Sequence, residues 1–560
     1  MNFSIIDWLI VAVYLAGIFY LGVRGKRYVK DSADFLVAGR SMGLHVGMIS
    51  LVATEIGIIT FMYYAEMGVI FGFTACLAGV ITAAVYIGVG RSGFVIGRFR
   101  EMELVTVPQY FEQKYGSDVR ILVGVLMAVG GALNFGVFPI IEATFLNITT
   151  GIPQEYILWT MVVLILVVLA YTALGGMVSV IITSYVQYIV LLAAMLLITF
   201  YCFYSVGWSS MVETVQTEMG QQGFDPFSHP TFGWKFILWQ TLNWLALVTV
   251  WAPIAARAFS SEDTKTVKKI FTWTGLLALG RAVLPFLWGI AALAYLGGKV
   301  VTPIEATPQF LRDVLPIGII GLVVAGMLAA SMSTYSGYLL AWSSIISEDV
   351  VLPLVRRKLR SKTRLRINQV TVLLLALFII IWGLFYIIPG ATYFYLQMTA
   401  SIFLAGTFWA VVGGLYWKKA HRLGAYCSLI FGAACTLIYF LVPDPRDWTG
   451  TIGVLSYFAA FTGMVAGSLV GHYVVSRVKR FAILAALIVV IPLAARYIQF
   501  TFTEGRLWQD VWSAVLVAAG VLMLSLSSLA IVKGFSDIKR MFSALMGDKN
   551  DSSPSSVSDE

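Results

Sequence analysis

Apolar residues run along this chain in blocks of about twenty, separated by short polar stretches, and a helix of that length crosses a bilayer core. The blocks fall at 7–23, 44–71, 72–95, 121–149, 156–174, 178–205, 232–257, 270–298, 316–348, 367–389, 392–416, 423–442, 451–473, 481–500 and 510–533. They predict about fifteen transmembrane helices. The ten-residue alternation of a membrane β-barrel is absent. The pattern therefore predicts an all-α polytopic membrane protein. Composition supports it. Of 560 residues, 59% are hydrophobic and 12% are charged, where soluble domains carry about 25% charged residues. Mean hydropathy is +0.86.

The charges sharpen the picture. Net charge is +9, but the basic residues sit in alternate short loops rather than on one nucleic-acid-binding face. Arg24, Lys26, Arg27, Lys30 and Arg40 fill the first loop. Arg98, Arg100, Lys114 and Arg120 follow the third span. Lys265, Lys268 and Lys269, the run from Arg356, then Lys418, Lys419 and Arg422, then Arg477, Lys479 and Arg480 continue the series. Residues 206–231 hold no Lys or Arg and carry Glu213, Glu218 and Asp225 instead. The positive-inside rule then places the N-terminus outside and the C-terminus in the cytoplasm. No nucleic-acid partner is expected. The lipid bilayer is the expected partner, a bacterial inner (plasma) membrane the expected location, and a monomer the expected working unit.

The same positions exclude several chemistries. Cys76, Cys202, Cys427 and Cys435 form no CxxC pair, so neither a disulfide framework nor a zinc site is indicated. His45, His229, His421 and His472 are too scattered for a haem or copper centre. No catalytic pair stands out, and the chain is not expected to be an enzyme. Residues 534–560 read as a short disordered tail.

Two spans carry polar residues where a bilayer core disfavours them. "ATEIG" (53–57) places Glu55 beside a glycine, and "AASMSTYSGY" (329–338) crowds hydroxyls into one segment. A charged side chain at mid-bilayer costs at least about 2.5 kcal/mol. Small residues and hydroxyls also serve plain helix packing. A broken helix, by contrast, exposes carbonyls to a cation, and nearby hydroxyls complete its shell.

"FLVAGRSMG" (35–43), "ALGGMVSVIITSYVQ" (173–187) and "AASMSTYSGYLLAWSSIISEDV" (329–350) together resemble the sodium:solute symporter family, over roughly residues 7–475. The resemblance implies a LeuT-type core of two inverted five-helix repeats, with additional N- and C-terminal transmembrane helices. The implied divisions are 1–43, a first repeat at 44–205, an extracellular loop at 206–231, a second repeat at 232–416, extra helices at 417–533 and the tail at 534–560. It implies sodium as the coupling ion, held by Ala53, Ile56, Ala330, Ser333 and Thr334. It implies symport of a small-molecule solute by alternating access, with Glu55, Thr60, Asn134, Arg281 and Gln397 as candidate solute contacts.

Three departures from the sugar-carrying branch follow. Gly79 stands at that branch's glutamate, "WAP" (251–253) replaces its "NQY", and Arg281 takes the place of a substrate lysine. Arginine's planar fork suits a carboxylate, so an anionic or zwitterionic solute is favoured over a sugar. Arg281 can also serve an internal ion pair with Glu55 or Glu142, and Asn134 and Gln397 can join helices by hydrogen bonds. Ser184 stands where many members have an aspartate linked to a second cation, so one sodium is the default and a proton a candidate second ion. Glu55 is open to three roles: sodium ligand, proton carrier, or partner of Arg281 or of a solute amine. A nutrient receptor without net flux is the alternative to transport.

Overall fold

The computed structural model describes residues 3–25, 38–299, 302–355, 360–388, 390–440 and 448–472, together with Asp537. The described residues are helical, with one isolated bridge between Met42 and Ser261. In chain order the main helices are α1 (Ile5–Gly25), α2 (Leu44–Thr54), α3 (Ile58–Phe71), α4 (Cys76–Ser92) and α5 (Val107–Tyr115). Next come α6 (Ser117–Gly136), α7 (Phe138–Thr150), α8 (Ile157–Ser205), α9 (Gly233–Val250), α10 (Ala252–Ser260) and α11 (Thr264–Leu296). The last are α12 (Pro303–Val314), α13 (Ile319–Ile345), α14 (Ser361–Phe385), α15 (Thr392–Tyr416), α16 (Arg422–Leu437) and α17 (Thr449–His472).

Ten helical stretches among the described residues are long and apolar enough to cross a membrane, or eleven if α9 and α10 count as one bent span. The sequence pattern predicts more, for local reasons. The block at 44–71 is cut after Thr54, leaving α2 with 11 residues, too short to cross alone. Its second half joins the next block as one helical stretch, Ile58–Ser92. The blocks at 156–174 and 178–205 run together as the 49-residue α8. The expected spans at 481–500 and 510–533 lie outside the described residues, as does the tail apart from Asp537. The expected loop at 206–231 contains a helix, Trp208–Met219, which buries Met211 and Val215.

The extra N-terminal helix is tied to the core by a carboxylate. Asp7 Oδ1 accepts the backbone N–H groups of Gly318 (2.7 Å) and Gly321 (3.0 Å) at the start of α13. Donors at a helix start otherwise lack partners. α1 packs on α8 and α13.

Two breaks organise the middle of the molecule. The first separates α2 from α3 at Glu55–Gly57. Thr60 closes it as a cap: its hydroxyl accepts the Gly57 N–H (3.3 Å) and donates to the Glu55 carbonyl (3.2 Å). A Cβ on Gly57 would stand 2.9 Å from Thr334 Oγ1, so glycine lets the break lie directly against α13. The second break is at Trp251, where α9 and α10 meet at 43°. Pro253 has no N–H to continue the α9 ladder and suits the first turn of a new helix. The "AASMSTYSGY" segment, by contrast, stays helical within α13.

Candidate functional site

The breaks and their neighbours line a cavity that is partly open. Glu55, Thr60, Asn134, Arg281 and Gln397 all line it, although they are spread over more than 340 positions of sequence. Tyr63, Phe138, Trp244, Trp251 and Tyr338 supply aromatic walls.

Arg281 lies on α11 one turn before Pro285. Proline cannot donate to the carbonyl four residues back, so the α11 ladder is interrupted at Arg281. The guanidinium is 2% exposed. It donates from Nη1 to the Glu55 main-chain carbonyl (3.4 Å) and lies 5.9 Å from the centre of the Trp244 ring. No carboxylate lies within ion-pair distance of it among the described residues, so neither expected pair, with Glu55 or with Glu142, is formed. Glu55 Oε1 is buried and has no hydrogen-bond partner. Arg281 and Arg257 are the cations whose charge bears on Glu55. Arg257, on α10, also bonds Thr54 Oγ1 and donates to the Pro253 carbonyl (3.1 Å), linking the two breaks.

The amide side is already engaged with protein. Asn134 Nδ2 donates to the Leu396 carbonyl (2.7 Å) and to Thr399 Oγ1 (2.9 Å). Gln397 Oε1 accepts from Asn243, whose own Oδ1 accepts Ser401 Oγ (3.0 Å) and the Tyr457 hydroxyl (2.9 Å). Thr60, expected as a solute contact, has its hydroxyl committed to the cap.

Of the five residues expected to hold sodium, Ala53 and Ile56 flank Glu55 at the first break, and Thr334, on α13 with Ala330 and Ser333, adjoins Gly57; all five are buried. Thr334 Oγ1 is buried beside Gly57 without a partner. A hydroxyl oxygen left over beside a broken helix fits a hard cation. Ser333 Oγ lies 2.9 Å from Ser184 Oγ, so Ser184 adjoins the set.

The sequence matches the sodium:solute symporter family over residues 35–432. The chain belongs to that family. Among its curated relatives are the osmoregulated proline transporter OpuE of Bacillus subtilis and the sodium/pantothenate symporter of Escherichia coli. OpuE is 24% identical, over 82% of this chain and 93% of the relative. The pantothenate symporter is 27% identical, over 75% and 88%. A solved Na+-coupled sialic acid symporter in a substrate-bound outward-open state aligns with a TM-score of 0.72 and 17% identity, covering 83% of this chain and 98% of that one. It shares the fold.

As a sodium:solute symporter, the protein is a multi-pass, sodium-coupled transporter and not an enzyme. Its LeuT-type core gives further meaning to three residues around the site. Trp251 marks the second break; its signal was Pro253 inside an apolar run. Asn243 anchors Gln397, and no local pattern announces it. Gly79 is explained by packing: a Cβ there would already lie 2.8 Å from the Ala282 Cβ on α11, leaving no room for a glutamate. A second, smaller cavity is lined by Thr106, Ala252, Ala256, Phe259 and Ser344 among others.

Proposed function

We propose that this symporter carries a small anionic or zwitterionic organic solute with sodium, and that the solute binds between Glu55, Arg281 and the amide side. The observation that supports this most is Arg281. A buried guanidinium lining a cavity, with no carboxylate within ion-pair distance among the described residues, is a ready site for a solute carboxylate. Glu55 Oε1, equally unpartnered, suits a solute ammonium group. Proline and pantothenate, named for two relatives, both carry a carboxylate. The packed Gly79 site speaks against the sugar-type arrangement.

In this reading Ala53, Ile56, Ala330, Ser333 and Thr334 hold the sodium and fasten the first break to α13. The solute then closes the cavity, and both leave toward the cytoplasm past Trp251. Helices 44–205 and 232–416 form the two repeats. The basic loops face the cytoplasm of a bacterial inner membrane, the N-terminus lies outside, and the chain works as a monomer. Cysteines placed at 206–231 are expected to react with impermeant reagents on intact cells, and those at 356–366 only after permeabilisation.

The decisive experiment is a thermal-shift screen of amino acids, carboxylates, vitamins and sugars with and without sodium, followed by uptake into proteoliposomes. A carboxylate-bearing solute is expected to stabilise the protein only with sodium, and to be accumulated down a sodium gradient. A sugar giving the largest sodium-dependent shift, undiminished by Arg281→Gln, would overturn the reading. Binding without uptake would make the protein a receptor.

A further inference from the structure

Glu142 lies on α7, in a stretch apolar enough to span the membrane, and its side chain is fully buried. Its two oxygens reach different helices. Oε1 accepts the Ile59 N–H (3.3 Å) in the first turn of α3, and Oε2 bonds the Ser331 hydroxyl on α13. No Lys, Arg or His lies within ion-pair distance among the described residues. α3, α8, α12, α13 and α14 all pack on α7. Of the titratable groups they carry, Tyr335 of α13 bears on this carboxyl. The partial positive charge of the α3 N-terminus adds support but does not equal a cation.

A carboxylate buried in hydrocarbon and left ionised without a countercharge is strongly unfavourable, so such groups are found neutralised. We propose that Glu142 is a second coupling-ion site, neutralised by a monovalent cation, either a proton or sodium. Its position makes the coupling direct. One oxygen depends on α3, which begins two residues after Ile56; the other depends on Ser331, the neighbour of Ala330. Any shift of the first break against α13 withdraws or restores a donor to this carboxylate. Fewer donors favour cation uptake and restored donors favour release. The ion at Glu142 is thus gated by the same two elements that hold the expected sodium, through a group separate from it.

The test uses the purified full-length protein, with radioactive sodium binding measured to saturation across a pH series. If the ion is sodium, the wild type binds one more equivalent per chain than Glu142→Gln. If it is a proton, the sodium count is equal, but wild-type half-saturation moves by up to about tenfold per pH unit, and Glu142→Gln flattens that dependence. Equal counts with an unchanged pH dependence would overturn the proposal and leave Glu142 as a helix cap. Should Glu142→Gln fail to give a monodisperse protein, Ser331→Ala decides. It keeps the carboxylate and removes one donor, so the pH dependence or the second sodium affinity must move; if neither does, the proposal falls.

Discussion

The two sides of the cavity treat their polar groups in opposite ways. On the amide side, Asn134 and Gln397 hold protein partners, and Asn243, Thr399 and Ser401 extend the network. On the charged side, Glu55 Oε1 has no partner, Arg281 Nε has none, and behind the break Thr334 Oγ1 has none. Buried polar groups are rarely left unsatisfied, because each lost bond costs about 1–3 kcal/mol. The amide side is therefore engaged mainly with protein, and the charged side leaves buried atoms for cargo to satisfy. One side is scaffold that can also touch the solute. The other is where binding energy is made.

That contrast can be broken by substitution. Arg281→Gln removes the cavity's fork and is expected to weaken binding of the solute, once identified, by about 30- to 100-fold, since a charge-assisted pair is worth about 2–3 kcal/mol. Sodium affinity should change far less; an equal loss of both would mean Arg281 only holds the break in place. Thr334→Ala removes one sodium oxygen and should raise half-saturating sodium about tenfold, the equivalent of about 1.4 kcal/mol. Ser333→Ala should fall short of that, because Ser333 already shares a hydrogen bond with Ser184. Wild-type sodium affinity in the double variant would remove the site from this position.

Glu55→Gln keeps shape and hydrogen bonding but not charge. A loss of about three- to tenfold in sodium affinity is expected if the carboxylate serves the cation, at about 0.6–1.4 kcal/mol. A loss confined to solutes with an amine would assign it to the solute instead. Gln397→Ala should reduce thermal stability more clearly than solute affinity, since it leaves Asn243 short of a bond; the reverse result would erase the distinction between the sides. The smallest effect lies far from the cavity, at Asp263, whose side chain accepts the Thr266 N–H (2.6 Å) and caps α11. That backbone bond holds the Asp263 carboxyl below its usual range. Its contribution is present above the unfolded-state value and fades as pH falls through the lower folded-state value. Asp263→Ala should cost about 1 kcal/mol near neutral pH and less in acid, as read by melting curves.

Most of the architecture was legible because a bilayer imposes a length on apolar blocks, and a glutamate beside Gly57 marked the first break. The second break escaped because Pro253 lies in a block whose hydrophobicity never falters; "WAP" read as a changed contact rather than as a hinge. The five cavity residues were placed by family resemblance, and their convergence needed no local signal. What sequence could not supply was pairing. That Glu142 meets Ser331, 189 positions away, or that Asn243 meets Gln397, depends on how distant helices pack. Arg281 shows the converse: two buried carboxylates suggested an ion pair, and the fold directs the guanidinium to a main-chain carbonyl instead.

Trp251 has one more consequence. Its indole forms part of the central cavity, while the next residue, Ala252, borders the second cavity. The ring is braced by Phe403, stacked at 5.7 Å, and by Trp342, edge-on at 5.0 Å. On the proposed route to the cytoplasm past Trp251, this ring, at the 43° joint between α9 and α10, is the part that has to move. A smaller side chain there would let sodium slip through unaccompanied. The tightness of the stoichiometry, and with it the steepest solute gradient the carrier can sustain, would then rest on the fit of one indole between two rings.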